Sequence, residues 1–359
     1  MKKVVYKILL ILNVVSAAAL LMSYLAAIVS PAQFALPAYF GLGYPYLLLL
    51  NILIVIVWAM LLRFEALISV AAIAIGITHF SNSIKFTKTK NDTEGTFKIV
   101  SYNARLFSYF KNNKAVNVET EIFSFLNKQK ADIVCIQEFF ISGDIAEKEK
   151  AMAAALGGKY FAYLKTIRRT GTRAYGTAVF TKFPIVGKGE ISYPESTSFT
   201  TYTDILIDKD TVRLYNNHLQ SFRLKSSEKS FLENIITENN DMTGVKNLWS
   251  SLKTGFVKRS LQSQILKEHI NASKYPVIVA GDFNDTPVSY TYHKIRKGLN
   301  DAFVNSGYGA GFTYQGNYPS NRIDYILYDK SIVNSGFEVL RIGYSDHYPI
   351  AAWFKRKVN

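Results

Sequence analysis

Asp282 and Asn284 stand two residues apart in Gly281-Asp282-Phe283-Asn284, directly after the apolar run 277–280. A short β-branched run that stops at a polar loop reads as the end of a buried strand, and period-two geometry sends both side chains to one side. A carboxylate and a carboxamide aimed together from a rigid strand can orient a water and donate to a developing oxyanion. The same Gly, Asp, Asn and Pro residues also describe a plain turn. Asn103, Glu138, His218 and the pair Asp346-His347 share the property of Asp282, a polar or ionisable residue where a buried strand ends. Asp324, inside 322–327, is a sixth place. Each has an ordinary reading: Asn103 caps a turn, His218 is structural, Asp324 pairs with Arg322 on its own strand face, and Asp346-His347 is a loop pair. Glu138 is harder to dismiss, because a charge beside Val-Cys-Ile is costly without a partner or a metal. Ordinary readings need a separate cause for every position. A single metal-assisted hydrolytic site accounts for all of them.

The elements that must position these residues follow from period-two and helical patterns. Strands are expected at 97–103, 132–138, 160–165, 176–183, 201–208, 211–218, 277–280, 322–327 and 348–354, with a hairpin turn at Asp208-Lys209-Asp210. Helices are expected at 118–130, 145–156 and through much of the charged stretch 226–270. Strands outnumber helices, which fits two packed sheets with helices outside.

The composition is uneven. Residues 1–80 carry only Lys2, Lys3, Lys7, Arg63 and Glu65 as charged side chains, leaving 38 basic and 26 acidic residues downstream. That downstream excess, +12 of the total +15, suits a polyanionic substrate or an anionic membrane surface. Uncharged residues 8–29 are long enough to cross a hydrocarbon core of about 30 Å, and too long for a cleaved signal. A second span is expected at 44–62 and a third, shorter one at 66–80, extended to Ile84. The early lysines and Arg63 hold their ends in the cytoplasm, so three crossings put the downstream part outside it; if the third run does not cross, that part faces the cytoplasm. The expected organisation is a membrane anchor at 1–84, a linker at 85–96 with Lys85, Lys88 and Lys90, and a domain at 97–359. Cys135 is the lone cysteine and lies in an apolar strand, which reads as a buried, inert thiol.

Taken in order, Val100-Ser101-Tyr102-Asn103, Ile136-Gln137-Glu138, Tyr175-Gly176-Thr177-Ala178-Val179-Phe180, Asn217-His218-Leu219, Gly281-Asp282-Phe283-Asn284, Arg322-Ile323-Asp324-Tyr325 and Ser345-Asp346-His347-Tyr348-Pro349 resemble the motifs of the endonuclease/exonuclease/phosphatase superfamily. Any one is weak; seven in sequence are specific. The resemblance implies a four-layered α/β sandwich of two packed mixed sheets flanked by helices. It implies that Glu138, with Asn103 beside it and Asp346 nearby, binds Mg²⁺ or Mn²⁺, hard ions suited to oxygen ligands. It assigns His218 and His347 to the scissile phosphate, Asp282 to the attacking water, Asn284 to the transition state and Asp324 to positioning His347. The reaction implied is in-line attack of water on a phosphoester.

The expected partners are a phosphodiester substrate and the lipid bilayer, through residues 8–84, with no protein partner. Nucleic acid suits the charge; a phospholipid, sphingomyelin or inositol phosphate suits the anchor; a binding protein with a dead site would not need the full residue set. Asp285, Thr286 and Pro287 are expected to shape the loop after Asn284. Arg173 and Tyr175 are expected in an exposed loop, Arg259 on a solvated helix face, and His79, His269 and His293 in structural or exposed positions. The aromatics of 308–318 suit either stacked bases or lipid.

Overall fold

The computed structural model describes residues 3–87, 95–108, 117–170, 173–225, 227–228, 242–316 and 321–356. Lys88 and Lys90 of the expected linker, Tyr318, and residues 226 and 229–241 of the expected helical stretch lie outside the described residues. The chain forms two compact units. One comprises Met1–Ile84, Phe222–Ser263 and Asp285–Ile295; the other comprises Lys85–Ser221, Gln264–Asn284 and Arg296–Asn359.

The second unit is built on two six-stranded mixed sheets. The first has the order β11(Ile332–Val339), β12(Ile350–Arg356), β1(Phe97–Asn103), β2(Ile133–Ser142), β4(Arg173–Thr181), β3(Phe161–Thr170). The second runs β5(Ile185–Ser192), β6(Phe199–Ile207), β7(Asp210–His218), β8(Val277–Asp282), β10(Asp324–Tyr328), β9(Asn300–Asp301). Strand periodicity sorts the apolar side chains into two layers. Ile99, Cys135, Val179, Leu214, Ile278, Ala280 and Ile326 fill the space between the sheets. Their chain neighbours Val100, Val134, Ile136, Ala178 and Phe180 face the other way, against helices α6(Val118–Lys128) and α7(Ile145–Ala155). This is the expected α/β sandwich. Cys135 is fully buried and burial pushes its thiol pKa up, so it is inert as expected.

Strands β5 and β11 went unpredicted. In β5 the buried positions are sparse and glycines interrupt the run; in β11 a register shift between Asn334 and Gly336 breaks the alternation that marks a strand. Arg173 and Tyr175 belong to β4, paired with Ser142 and Phe140, and are not in a loop.

In the first unit, α1(Lys3–Leu25) is long and apolar enough to cross a membrane. The second expected span, 44–62, is the unbroken helix α3(Tyr44–Met60), preceded by α2(Leu36–Leu42) across a 69° bend; the third is broken, with α4(Ala66–Ile75) meeting α5(Ile77–Ser83) at 64°. That break falls at Gly76, where a Cβ would lie 2.1 Å from the Tyr24 ring. Consecutive runs pack antiparallel, and the first and third lie parallel. Tyr6 meets Trp58 at 5.7 Å near one end, and Tyr24 meets Tyr44 at 6.2 Å and the Ala72 carbonyl at 3.0 Å near the other. Between those ends the Ser69 hydroxyl lies 2.6 Å from Asn13 Oδ1 and 2.8 Å from Asn51 Oδ1, a buried polar cluster joining all three runs.

Candidate active site

All eight residues singled out for chemistry lie in the second unit. His218, Asp282 and Asp324 occupy one register row: His218 pairs with Asp282 across parallel β7 and β8, and Asp282 pairs with Asp324 across antiparallel β8 and β10. Three adjacent strands thus bring three ionisable groups to the same end of one sheet. From the other sheet, β1 contributes Asn103 as its last residue, and β2 contributes Glu138.

Glu138 was expected at the end of its strand, but β2 runs on to Ser142. Its pairing with β4 jumps from Ile136↔Ala178 to Phe139↔Gly176, so Gln137 and Glu138 together oppose Thr177. A bulge of this kind re-aims a side chain without ending the strand. It also puts Glu138 in left-handed backbone, φ 49°, and Asn284 shares that conformation at φ 53°. Non-glycine residues held there cost on the order of 1–3 kcal/mol each and concentrate at functional sites.

Asp282 is buried and its carboxylate is held on both oxygens. Oδ1 accepts from the Asn284 backbone N–H at 2.8 Å, and Oδ2 accepts from Asn284 Nδ2 at 3.1 Å and Asn103 Nδ2 at 3.0 Å. Asn284 Nδ2 also donates to the Leu219 carbonyl at 3.0 Å, so its amide serves to fix Asp282. Burial, opposed by the charge of His347 and reinforced by that of Asp324, raises the Asp282 pKa to about 6. Gly281 makes this approach possible. Its φ is +127°, and a Cβ there would lie 2.2 Å from the Asn217 carbonyl oxygen.

His347 Nδ1 stands 3.0 Å from Asp324 Oδ2, and its Nε2 is 3.8 Å from Asp282 Oδ2. Burial alone would favour the neutral ring, but Asp324 and Asp282 outweigh it and lift the pKa to about 10. The ring is therefore an imidazolium at neutral pH, a donor at both nitrogens. Asp324 was also open to pairing with Arg322; instead Arg322 bonds Asp301 at 2.8 Å and stacks between Phe303 and Tyr325.

His218 Nε2 lies 3.1 Å from Glu138 Oε1, too poorly aligned to count as a hydrogen bond by geometry, so the pair is held chiefly by charge. Burial works against ionisation of both partners, yet the Glu138 pKa is held down at about 2 by His218, His347 and the adjoining Asn103 amide, and that of His218 is raised by Glu138 and Asp282. Asp346 pairs with Arg105 at 3.2 Å, and Ser345 Oγ donates to the Asn103 carbonyl at 2.8 Å while lying 3.2 Å from the His347 backbone N–H.

Sequence reasoning passed over the layer beneath the site. Gln137 Nε2 donates to Asn216 Oδ1 at 2.6 Å, and Asn216 Nδ2 donates to the Ile136 and Ala178 carbonyls at 3.2 and 3.0 Å, tying the two sheets together where the core turns polar. Thr313 Oγ1 accepts from the Asp324 N–H at 3.2 Å, and Tyr314 meets the His347 ring at 5.4 Å. Gln137 and Asn216, buried amides inside apolar strands, were the available signal for the first pair. Arg259 was expected on a solvated face; it is fully buried against Asp285 at 3.0 Å, and Asp285 also accepts from Thr291, which accounts for the shaping of the loop after Asn284. His269 is structural, with Nδ1 2.9 Å from the Tyr215 hydroxyl.

A divalent metal can be weighed against these groups. Among the described residues, Asp282, Asp324 and His347 place their ligand atoms within 4.8 Å of one another. Asp324 already bonds His347, and Asp282 Oδ2 already accepts from Asn103 and Asn284, so a metal there would have to break that network. Glu138 is ionised at neutral pH, its side chain is 30% exposed, and the Asn103 amide adjoins it. Hard oxygen donors of this kind fit Mg²⁺ or Mn²⁺.

Comparison with known proteins agrees with this geometry. Residues 100–347 match the model of the Endonuclease/Exonuclease/phosphatase family. Residues 6–83 match a second model, described as a domain of unknown function. No curated protein sequence matches the chain. Among solved structures it is similar to an endonuclease/exonuclease/phosphatase family protein from Leptotrichia buccalis C-1013-b, at 17% identity and TM-score 0.52 over 73% of this chain and 100% of that one. It is also similar to the human Nocturnin catalytic domain, solved with a bound sulfate anion, at 15% identity and TM-score 0.51 over 75% and 97%. D. rerio TDP2, complexed with a single strand DNA product, aligns at 16% identity and TM-score 0.51 over 73% and 100%. At these identities the likeness is one of fold.

Proposed function

Because this chain belongs to the endonuclease/exonuclease/phosphatase family, we propose that it is a membrane-anchored, divalent-metal-dependent phosphodiesterase that acts on nucleic acid. The observation that carries the hydrolytic reading is the Asp282 carboxylate, fixed by three N–H donors beside the Asp324-held His347. With a pKa of about 6, Asp282 is ionised at neutral pH yet basic enough to take a proton from water. That water attacks phosphorus in line, one P–O ester bond breaks, and the products are an alcohol and a phosphomonoester. His347 and His218 supply positive charge as negative charge accumulates on the phosphoryl oxygens. Mg²⁺ or Mn²⁺ held by Glu138 and Asn103, with Asp346 nearby, would add Lewis-acid stabilisation of the same oxygens.

The +12 downstream charge supports a polynucleotide, and one similar fold, D. rerio TDP2, was solved with a single strand DNA product. A second reading, a phospholipid or sphingomyelin phosphodiesterase, is favoured by the apolar segment, which would hold the domain at lipid headgroups. For that segment we favour three crossings with residues 85–359 outside the cytoplasm. The positions of Lys2, Lys3, Lys7 and Arg63 support the direction, and the antiparallel packing of consecutive runs supports their number.

Detergent-solubilised full chain should be offered plasmid DNA, RNA, sphingomyelin, glycerophospholipids and inositol phosphates, with Mg²⁺ or with EDTA, alongside Glu138→Ala. Cleavage of DNA or RNA that is lost with EDTA and in the variant is expected. Cleavage of lipid alone would move the substrate to the second reading, and no cleavage, or cleavage that survives both treatments, would sink the hydrolase. A reporter fused after Asn359 should be active only outside the cytoplasm; activity inside would remove the three-crossing arrangement.

A further inference from the structure

Part of one long helix, α8(Met242–Asn271), belongs to the same compact unit as residues 1–84. Between Met242 and Ser263 every charged side chain is basic: Lys246, Lys253, Lys258 and Arg259. Met242, Val245 and Trp249 recur at spacings of three and four, which sets them on one stripe, and they are 78%, 40% and 48% exposed. Lys246 and Lys253 are exposed alongside them. An apolar stripe flanked by lysines has the composition of a helix that lies in a membrane interface, and Glu228, which accepts from the Ser251 hydroxyl of this helix at 2.7 Å, is itself buried.

Its position in the unit supplies the second argument. Tyr39 stacks on Trp249 with centroids 3.6 Å apart and planes 9° from parallel, and its hydroxyl donates to the Trp249 carbonyl at 2.7 Å. Further along α8, Phe256 is buried and meets Tyr39 at 5.2 Å and Phe222 at 5.3 Å. Tyr39 sits in α2, between the end of α1 at Leu25 and the start of α3 at Tyr44. That is the end of the apolar bundle at which a membrane-spanning anchor would leave the hydrocarbon. The stripe on α8 is therefore covered where it meets the bundle's end and open towards Met242. Paired Tyr and Trp rings at such an end are characteristic of the headgroup level.

We propose that residues 242–253 of α8 lie in the headgroup layer of the bilayer, as a lipid-contacting collar on the anchor. Met242, Val245 and Trp249 enter the acyl boundary, while Lys246 and Lys253 meet anionic lipid phosphates. The inference rests on residues 8–84 spanning the membrane, so its test must separate the two ideas.

Full-length chain would be reconstituted in nanodiscs of phosphatidylcholine and phosphatidylglycerol, with and without brominated acyl chains, as wild type, Trp249→Phe and Leu53→Trp, the last at a position of α3 that is 51% exposed. The fluorescence lost in Trp249→Phe isolates Trp249 in the collar, and that gained in Leu53→Trp reports on α3. The expected result is that bromolipid removes about half or more of the Trp249 emission, that aqueous iodide removes little, and that Lys246→Glu with Lys253→Glu reverses the pattern. Bromolipid quenching at position 53 while Trp249 responds only to iodide, or to neither quencher, would overturn the collar and leave the anchor standing. Failure of bromolipid to quench at position 53 would overturn the anchor, and the collar with it.

Discussion

Asn103 Nδ2 donates to Asp282 Oδ2 at 3.0 Å, joining the last residue of β1 to the last residue of β8 and so one sheet to the other. The Asn103 amide also adjoins Glu138 and helps to hold its pKa down. One amide therefore links the carboxylate assigned to water with the carboxylate assigned to metal.

Asn103→Ala should disturb both at once. Loss of a buried donor leaves Asp282 undersatisfied at a cost of about 1–3 kcal/mol, visible as a lower midpoint in denaturant. Activity should fall, and half-saturation by Mg²⁺ should rise. A variant that loses turnover with unchanged metal dependence would break the proposed link to Glu138.

Asp324→Asn should leave His347 in place but remove the charge that keeps it protonated. A drop in kcat of about 10²-fold or more is expected, and Asp324→Asn combined with His347→Gln should be little worse than the single variants because the pair acts as a unit. Additive losses in that cycle would separate the two residues.

The pH profile has a definite sign. Asp282 works as the carboxylate, so kcat/KM should rise as pH increases through about 6. His347 works as the imidazolium, so activity should decline as pH climbs towards about 10. The same histidine affects stability. Its folded pKa lies above the ordinary 6.5, so its stabilising contribution is full below 6.5 and is lost as pH rises through about 10. Thermal melts of metal-free protein should show this basic-side loss, and His347→Gln should flatten it.

Gly281→Ala adds a Cβ 2.2 Å from the Asn217 carbonyl at a φ of +127°. Backbone has to move, so a loss exceeding about 1 kcal/mol is expected, together with reduced activity, since Asp282 is the next residue. Wild-type melting behaviour in this variant would show that β7 and β8 do not need the close approach.

Arg322→Ala tests a residue whose role lies outside the chemistry. It would leave the fully buried Asp301 without its cation, although Asp301 would still cap helix Ala302–Ser306 through the Phe303 N–H at 2.9 Å. Breaking a buried ion pair costs about 3–5 kcal/mol. Chemical denaturation reads that directly, and a change below 1 kcal/mol would contradict it.

Much of the fold was legible because strand alternation and helical spacing are local. β1 spans the expected 97–103, and β7, α6 and α7 lie within a residue or two of their expected limits. β5 and β11 escaped because glycine, sparse burial and a register shift erase the period-two pattern that local reading relies on. The third apolar run looked continuous in composition, yet it bends at Gly76, where the Tyr24 ring, 52 positions away in sequence, leaves no room for a Cβ.

The site divides along the same line. Residue types and motif order alone selected Asn103, Glu138, His218, Asp282, Asn284, Asp324, Asp346 and His347, because strand ends bearing charge after apolar runs are unusual wherever they occur. Only the tertiary structure decided how they work together. Bond partners such as Asp324 with His347, Arg322 with Asp301 and Asn103 with Asp282 depend on strand register and on the packing of two sheets, over separations of 23, 21 and 179 residues. Protonation followed the same contacts: the identity of Asp282 predicts an ordinary carboxyl, whereas burial among other charges raises its pKa to about 6, where it can serve as a base.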